Sequence, residues 1–297
     1  MSNMRGYMGP MRLPFVILTP ACVLVGLGTA LWSTGKVNGF YFALALIGAI
    51  AAHISVNAFN EYFDFKSGLD YRTHRTPFSG GSGTLPEKPA LARQALGVAL
   101  AAILITALIG IYFIWVRGLS ILPLGALGVL LIVAYTPWFT KNPVLCLIAP
   151  GLAFGPLMVM GTDFVLTGAY SWSSFFASLV PFFLVNDLLL LNQFPDVEAD
   201  QSVGRRHLPI ILGRRVSSLV YGTMLILAYL SIILGVTLGY LPPISLVGLL
   251  TLLIALPVMI GVYRSGESTE KLVPYLGLNV IINIATPVLV AIGLFIG

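Results

Sequence analysis

Apolar residues in this chain run in blocks of about twenty, and polar residues collect in the short gaps between them. A helix needs about 20 apolar residues, rising ~1.5 Å each, to cross a hydrocarbon core of ~30 Å. Nine segments meet that need: 14–33, 39–63, 94–115, 119–138, 143–166, 173–195, 214–238, 242–263 and 272–296. The pattern predicts an all-α, polytopic membrane bundle of nine transmembrane helices, with residues 1–297 forming a single domain. Glycine and proline inside the blocks fit helices that pack closely in lipid.

Composition narrows the solvent. Only 9% of residues are charged and 58% are hydrophobic, whereas a soluble surface needs roughly 25% charge. The formal net charge of +5 does not mark a nucleic-acid surface, because the basic residues sit in the short gaps. They act as orientation signals. With the N-terminus in the cytoplasm and the C-terminus outside, Arg5, Arg12, Lys66, Arg72, Arg75, Lys88, Arg93, Lys141, Arg205, Arg206, Arg214, Arg215, Arg264 and Lys271 all fall on the inside. Those are 14 of the 16 basic residues, and only Lys36 and Arg117 lie outside. The first apolar block lacks a small-residue cleavage site and reads as a retained span rather than a signal peptide. Cys22 and Cys146 offer no disulfide framework or CxxC metal site and are expected to be packing residues.

The chain has eleven acidic residues, and six of them fall in two windows. The first holds Glu61, Asp64 and Asp70; the second holds Asp196, Glu198 and Asp200. Helical steps of three and four place His53, Asn57, Asn60 and Asp64 on one face at the cytoplasmic end of the second span. Asn192, Asp196 and Asp200 are expected to share a face at the end of the sixth. Both windows repeat Asn-x3-Asp, with a further Asp and basic residues beyond. Clustered carboxylates at a membrane boundary repel one another and lose hydration. A hard divalent cation relieves that conflict, and magnesium uses one or two carboxylates together with phosphate oxygens. Two facing pairs therefore point to a Mg²⁺-bridged diphosphate or triphosphate, its remaining charge met by nearby Lys and Arg. The run Pro77–Gly83 lacks the Lys-Ser/Thr ending of a nucleotide P-loop; it is either a connector or a lid.

Other polar residues carry open alternatives. Glu61 and Glu198 point about 100° away from their Asp neighbours and are expected to support the site or to be solvated. Asp187 contacts a substrate or bonds another helix, while Asn186 falls on the motif stripe. His53 is an interhelical hydrogen bonder, a ligand or a base. His207 is expected to be solvated beside two arginines, or to act in acid–base chemistry. Tyr135 binds diphosphate or belongs to the interfacial aromatic belt.

Asn60-Glu61-x2-Asp64-x5-Asp70 and Asn192-x3-Asp196-x3-Asp200-x3-Gly204-Arg205-Arg206 together resemble the UbiA superfamily of intramembrane prenyltransferases. Tyr135-Thr136-Pro137 with Lys141, and Phe154-Gly155-Pro156 through Thr162, are similar to further segments of its menaquinone-type branch. Glu61, Gln193, Pro195 and His207 depart from that branch's usual residues. The resemblance implies Mg²⁺-dependent transfer of a polyprenyl group from an allylic diphosphate to an aromatic acceptor, 1,4-dihydroxy-2-naphthoate in that branch. Asn60, Asp64, Asp196 and Asp200 would be catalytic and, with Asp70 and Asn192, would hold the metal. Lys66, Arg72, Lys141, Arg205, Arg206 and Tyr135 would bind the diphosphate. The implied partners are a polyprenyl diphosphate, an aromatic acceptor and membrane lipid. Other acceptors (4-hydroxybenzoate, homogentisate, a porphyrin, a glycerol-phosphate lipid) stay open, as does a secondary transporter, whose site would lie nearer the midplane.

Overall fold

The computed structural model describes residues 8–297, so Arg5 lies outside the described residues; every regular element among those described is helical. The main helices are α1 (Leu18–Thr34), α2 (Gly39–Ser67), α3 (Ala92–Arg117), α4 (Leu122–Ala134), α5 (Pro143–Thr167), α6 (Trp172–Asn192), α7 (Leu208–Thr237), α8 (Leu252–Ser265) and α9 (Thr269–Ile296). Eight are long and apolar enough to cross a membrane once short leading turns are included. The apolar segment Leu119–Ala134, which contains α4, is shorter; at ~1.5 Å per residue it covers about 24 Å. The predicted span 119–138 closes early because Pro137 disfavours helical geometry in the residue before it. The chain instead turns through Tyr135–Trp138 into a 3₁₀ turn at Phe139–Lys141.

Two other boundaries bear on the site. α2 runs past its predicted end to Ser67 and stops at Gly68, whose φ of 78° suits glycine. The whole first polar stripe is therefore one continuous helical face. α6 behaves differently. It ends at Asn192, and Pro195 separates it from a short helix, Val197–Ser202, which starts after Asp196. The expected common face for Asn192, Asp196 and Asp200 does not form.

α1, α5, α6, α7, α8 and α9 enclose the largest buried cluster, which includes Cys22, Leu184, Leu191, Tyr221, Ile232, Leu276 and Val290. Both cysteines are free and buried, as expected of packing residues. α5 widens into a π-helix over Ala153–Met160, around Pro156, which has no N–H to offer the regular ladder. Gly151 and Gly155 lie against the backbone carbonyls of Phe182 and Ser178 on α6, too close for any Cβ. The outer face of α3, with Leu100, Leu104, Leu108, Ile111 and Trp115, is exposed and apolar, as suits contact with lipid. Between α2, α3, α4 and α5 lies a cavity of about 530 Å³.

Candidate active site

The cavity is apolar along most of its length and polar at one end. His53, Asn57 and Asn60, successive members of the α2 stripe, all line it, joined at the polar end by Arg12, Tyr135 and Asn192. Asn60 Nδ2 donates to Thr136 Oγ1 at 3.2 Å, which ties α2 to the turn after α4. Arg206 N donates to Thr140 O at 2.9 Å, tying the second acidic segment to the same turn.

Just beyond the cavity the two acidic windows meet. Arg205 donates to Asp64 through Nη2 and to Asp200 through Nη1, the latter at 2.9 Å. Burial works against the Arg205 charge, but the carboxylates of Asp64 and Asp200 outweigh it and push its pKa up. Asp200 also meets His207 Nε2 at 2.8 Å through its other oxygen. His207 is buried rather than solvated, a correction: the chain after Asp200 folds back and presses the ring onto that carboxylate.

A glycine-rich strap crosses between the windows. Gly80, Gly81 and Gly83 all have φ between 73° and 83°, a conformation that side chains with a Cβ resist. Ser82 donates to Glu61 twice, from N at 2.7 Å and from Oγ at 2.6 Å. A Cβ on Gly81 would sit 3.1 Å from Asp70 Oδ1. The other partner of Glu61 is Arg12, at 2.7 Å. Arg12 is the one non-glycine residue with positive φ among the described residues, a backbone cost of about 1–2 kcal/mol that the partly buried ion pair with Glu61 helps to hold. Phe78, carried by the strap, reaches the cavity wall.

Around the two windows, the side-chain oxygens Asp70 Oδ2, Asn192 Oδ1 and Asp196 Oδ1 are sealed and unpartnered among the described residues. Hard oxygen donors left unmet suit Mg²⁺. No group of three or more His, Cys, Asp or Glu converges on one point among the described residues; an ion that takes one or two carboxylates completes its shell from phosphate and water. In donor chemistry the residues fit a metal–diphosphate, and Arg205 is the cation that balances Asp64 and Asp200 in this structure.

Burial, with the charges of Glu61 and Asp64, pushes the Asp70 carboxyl up to about 7. Burial, with the charge of Asp200, does the same for Asp196, also to about 7. Both start from 3.8, so between about pH 4 and 7 the folded chain holds more protons than the unfolded one, and stability falls as pH rises through that window. The metal-free protein in detergent is therefore expected to melt at a lower temperature at pH 8 than at pH 5. Mg²⁺ competes with those protons and should raise the melting temperature more at pH 8. A melting temperature independent of pH would show that these carboxyls are not held protonated by the fold.

The remaining residues are placed as follows. Lys66, Arg72, Lys141 and Arg206 are exposed around the same end and do not line the cavity; Arg72 Nη1 donates to Ser202 O and Oγ at 3.2 and 3.1 Å. Glu198 pairs at the surface with Arg214 at 2.8 Å. Asn186 Oδ1 accepts from Gly151 N at 2.6 Å. Asp187 accepts from Asn279 and Asn283 of α9 at 3.3 and 3.4 Å, the interhelical alternative. Arg12 was missed as a site residue: it stood out in the sequence only as a basic residue before the first span, and its partner lies 49 positions away.

Residues 20–286 match the UbiA prenyltransferase family. The chain is 29% identical over 226 residues to the 1,4-dihydroxy-2-naphthoate octaprenyltransferase of Bacillus subtilis (strain 168), covering 73% of this chain and 69% of that protein. It is 28% identical over 250 residues to the digeranylgeranylglyceryl phosphate synthase of Pyrococcus abyssi (strain GE5 / Orsay), covering 78% and 77%. The solved structure of a UbiA homolog from Archaeoglobus fulgidus bound to DMAPP and Mg²⁺ shares the fold, with a TM-score of 0.64 at 16% identity over 96% of this chain and 98% of that one. Paired acidic windows beside the polar end of an apolar cavity thus coincide with a match over nearly the whole chain, and this multi-pass membrane protein belongs to the UbiA prenyltransferase family.

Proposed function

We propose that the protein transfers a polyprenyl group from an allylic diphosphate to 1,4-dihydroxy-2-naphthoate, with Mg²⁺ as cofactor and the site opening to the cytoplasm. The observation that carries this reading is the junction of Asp64 and Asp200 on Arg205 at the polar mouth of an otherwise apolar cavity. Asn60, Asp64, Asp196 and Asp200, with Asp70 and Asn192, are the residues we assign to the metal. When bound, Mg²⁺ would supply Lewis-acid stabilisation of the departing diphosphate.

The chain's own groups do the rest. Arg205, and Arg12 held by Glu61, place positive charge where the leaving group gathers negative charge. Tyr135, on the cavity wall, offers a hydroxyl to the same end. Lys66, Arg72, Lys141 and Arg206, exposed around the mouth, are assigned to attracting the diphosphate. The C–O bond breaks with its electron pair leaving on the diphosphate, and a ring carbon of the acceptor forms the new C–C bond. The ring then regains aromaticity by losing the group that carbon carried, as H⁺ or CO₂. Apolar walls keep water from capturing the allylic cation. The basic residues gathered on one side of the spans support a cytoplasmic mouth, and family membership speaks against a transporter.

The test is to incubate purified protein with Mg²⁺, geranylgeranyl diphosphate and a panel of acceptors: the naphthoate, 4-hydroxybenzoate, homogentisate and a glycerol-phosphate lipid. Prenylated naphthalene that disappears with a chelator and returns with Mg²⁺ is expected. Product with the glycerol-phosphate lipid alone would replace the acceptor, and no product with any of them would overturn the reading.

A further inference from the structure

His53 sits in the cavity wall away from the charged end. It lies seven residues before Asn60 on the same face of α2, about 10 Å along the helix. The side chain is buried, with a relative exposure of 6%, and its ring meets the Phe154 ring edge-on with centroids 4.8 Å apart. Both rings line the cavity. Nδ1 lies 2.8 Å from Thr19 Oγ1.

That contact favours one tautomer. The Thr19 hydroxyl is wholly buried and makes no other hydrogen bond among the described residues. A hydroxyl has one proton to give, and Nδ1 is the acceptor within reach. With Nδ1 accepting, the neutral imidazole carries its proton on Nε2. This Nε2–H has no hydrogen-bond partner among the described residues, and the ring faces a wall built mostly of aliphatic and aromatic carbon. Nε2 is not sealed in protein and opens onto the cavity that the ring lines, so a cavity occupant that supplies an acceptor atom would pair with it. An isoprenoid tail has none. The oxygens of a hydroxylated aromatic ring do.

We infer that His53 binds the aromatic acceptor, its Nε2–H donating to a ring hydroxyl or phenolate oxygen while Phe154 flanks the ring. The inference rests on the prenyl-transfer reading above and names the acceptor contact within it. A donor at that oxygen favours its ionised form, which makes the ring the better nucleophile.

Steady-state kinetics with the acceptor and the allylic diphosphate varied separately tests this. His53→Leu is expected to raise the acceptor KM about tenfold, the scale of one hydrogen bond, and to leave the KM for allylic diphosphate within about twofold. His53→Gln, whose amide can reach the same point, should recover most of the loss. 1-Hydroxy-2-naphthoate, which lacks one ring hydroxyl, completes the cycle. If the missing hydroxyl is the His53 partner, its loss weakens wild type and adds nothing in His53→Leu; if the remaining hydroxyl is the partner, His53→Leu still raises its KM. Thr19→Val keeps the imidazole but frees its tautomer, and should raise the acceptor KM about threefold; it carries the test should His53→Leu fail to accumulate. An unchanged acceptor KM in His53→Leu or, failing that, in Thr19→Val, or an equal rise in both KM values, overturns the inference. Wild type that prenylates no acceptor at all would instead sink the underlying reading.

Discussion

Asp64→Ala is expected to lower kcat/KM for prenyl transfer by about a thousandfold, the scale seen when a preorganised charge is removed from the point where a leaving group ionises. Asp64 stands where the polar stripe of α2 leaves the cavity, one turn beyond Asn60, and it shares Arg205 with Asp200 of the other window. Losing it unbalances the guanidinium and deletes an oxygen donor at once. Asp196→Ala should lose as much, because its sealed Oδ1 has no partner among the described residues and so has no evident structural duty. Asp64→Asn separates chemistry from folding: the shape is kept, the melting temperature should stay within a few degrees, and activity should still be lost. Transfer within tenfold of wild type in both alanine variants would remove the two windows from the chemistry.

Arg205→Ala should produce the largest loss of stability. Asp64 and Asp200 are both buried and both bonded to this one guanidinium. Removing the cation leaves two carboxylates facing each other with only His207 beside Asp200, and breaking a buried pair costs about 3–5 kcal/mol. The expected readout is a clear drop in melting temperature of the metal-free protein. Adding Asp64→Asn and Asp200→Asn to Arg205→Met should recover most of that drop, since neutral groups of similar shape no longer repel. The triple variant should remain inactive. If Arg205→Ala melts like wild type, the guanidinium is not what balances the two acids.

The first motif was legible because a single uninterrupted helix carries it. Period 3.6 turns spacing directly into a shared face, and His53, Asn57 and Asn60 meet the cavity as that rule requires. The second motif was legible in content but not in shape. Pro195 ends the helix, so the i+4 spacing of Asn192, Asp196 and Asp200 stopped predicting direction, and their partners come from other segments. The burial of His207, the Arg12–Glu61 pair and the grip of Glu61 on Ser82 all join positions distant in sequence or folded back after a turn, where no local periodicity applies. Glu61, expected to support the site or to be solvated, is wholly buried; a carboxylate in a polar window reads the same whether water or an arginine awaits it. Hydropathy likewise located α4 but not its early end, because Tyr135 and Trp138 suit the interfacial end of a span as well as a turn beyond it.

The wall of the cavity includes Ile111, Leu122 and Val129, which also belong to the outer surface of α3 and α4. A chamber with such a side has no far end against which a long hydrocarbon could be measured. On the proposed prenyl-transfer reading, only the first few isoprene units would touch protein; the remainder would trail among acyl chains and contribute nearly the same free energy before and after the reaction. Selection by tail length would then fall to whichever diphosphates the cell makes available, while the groups around Arg205 would judge only the head.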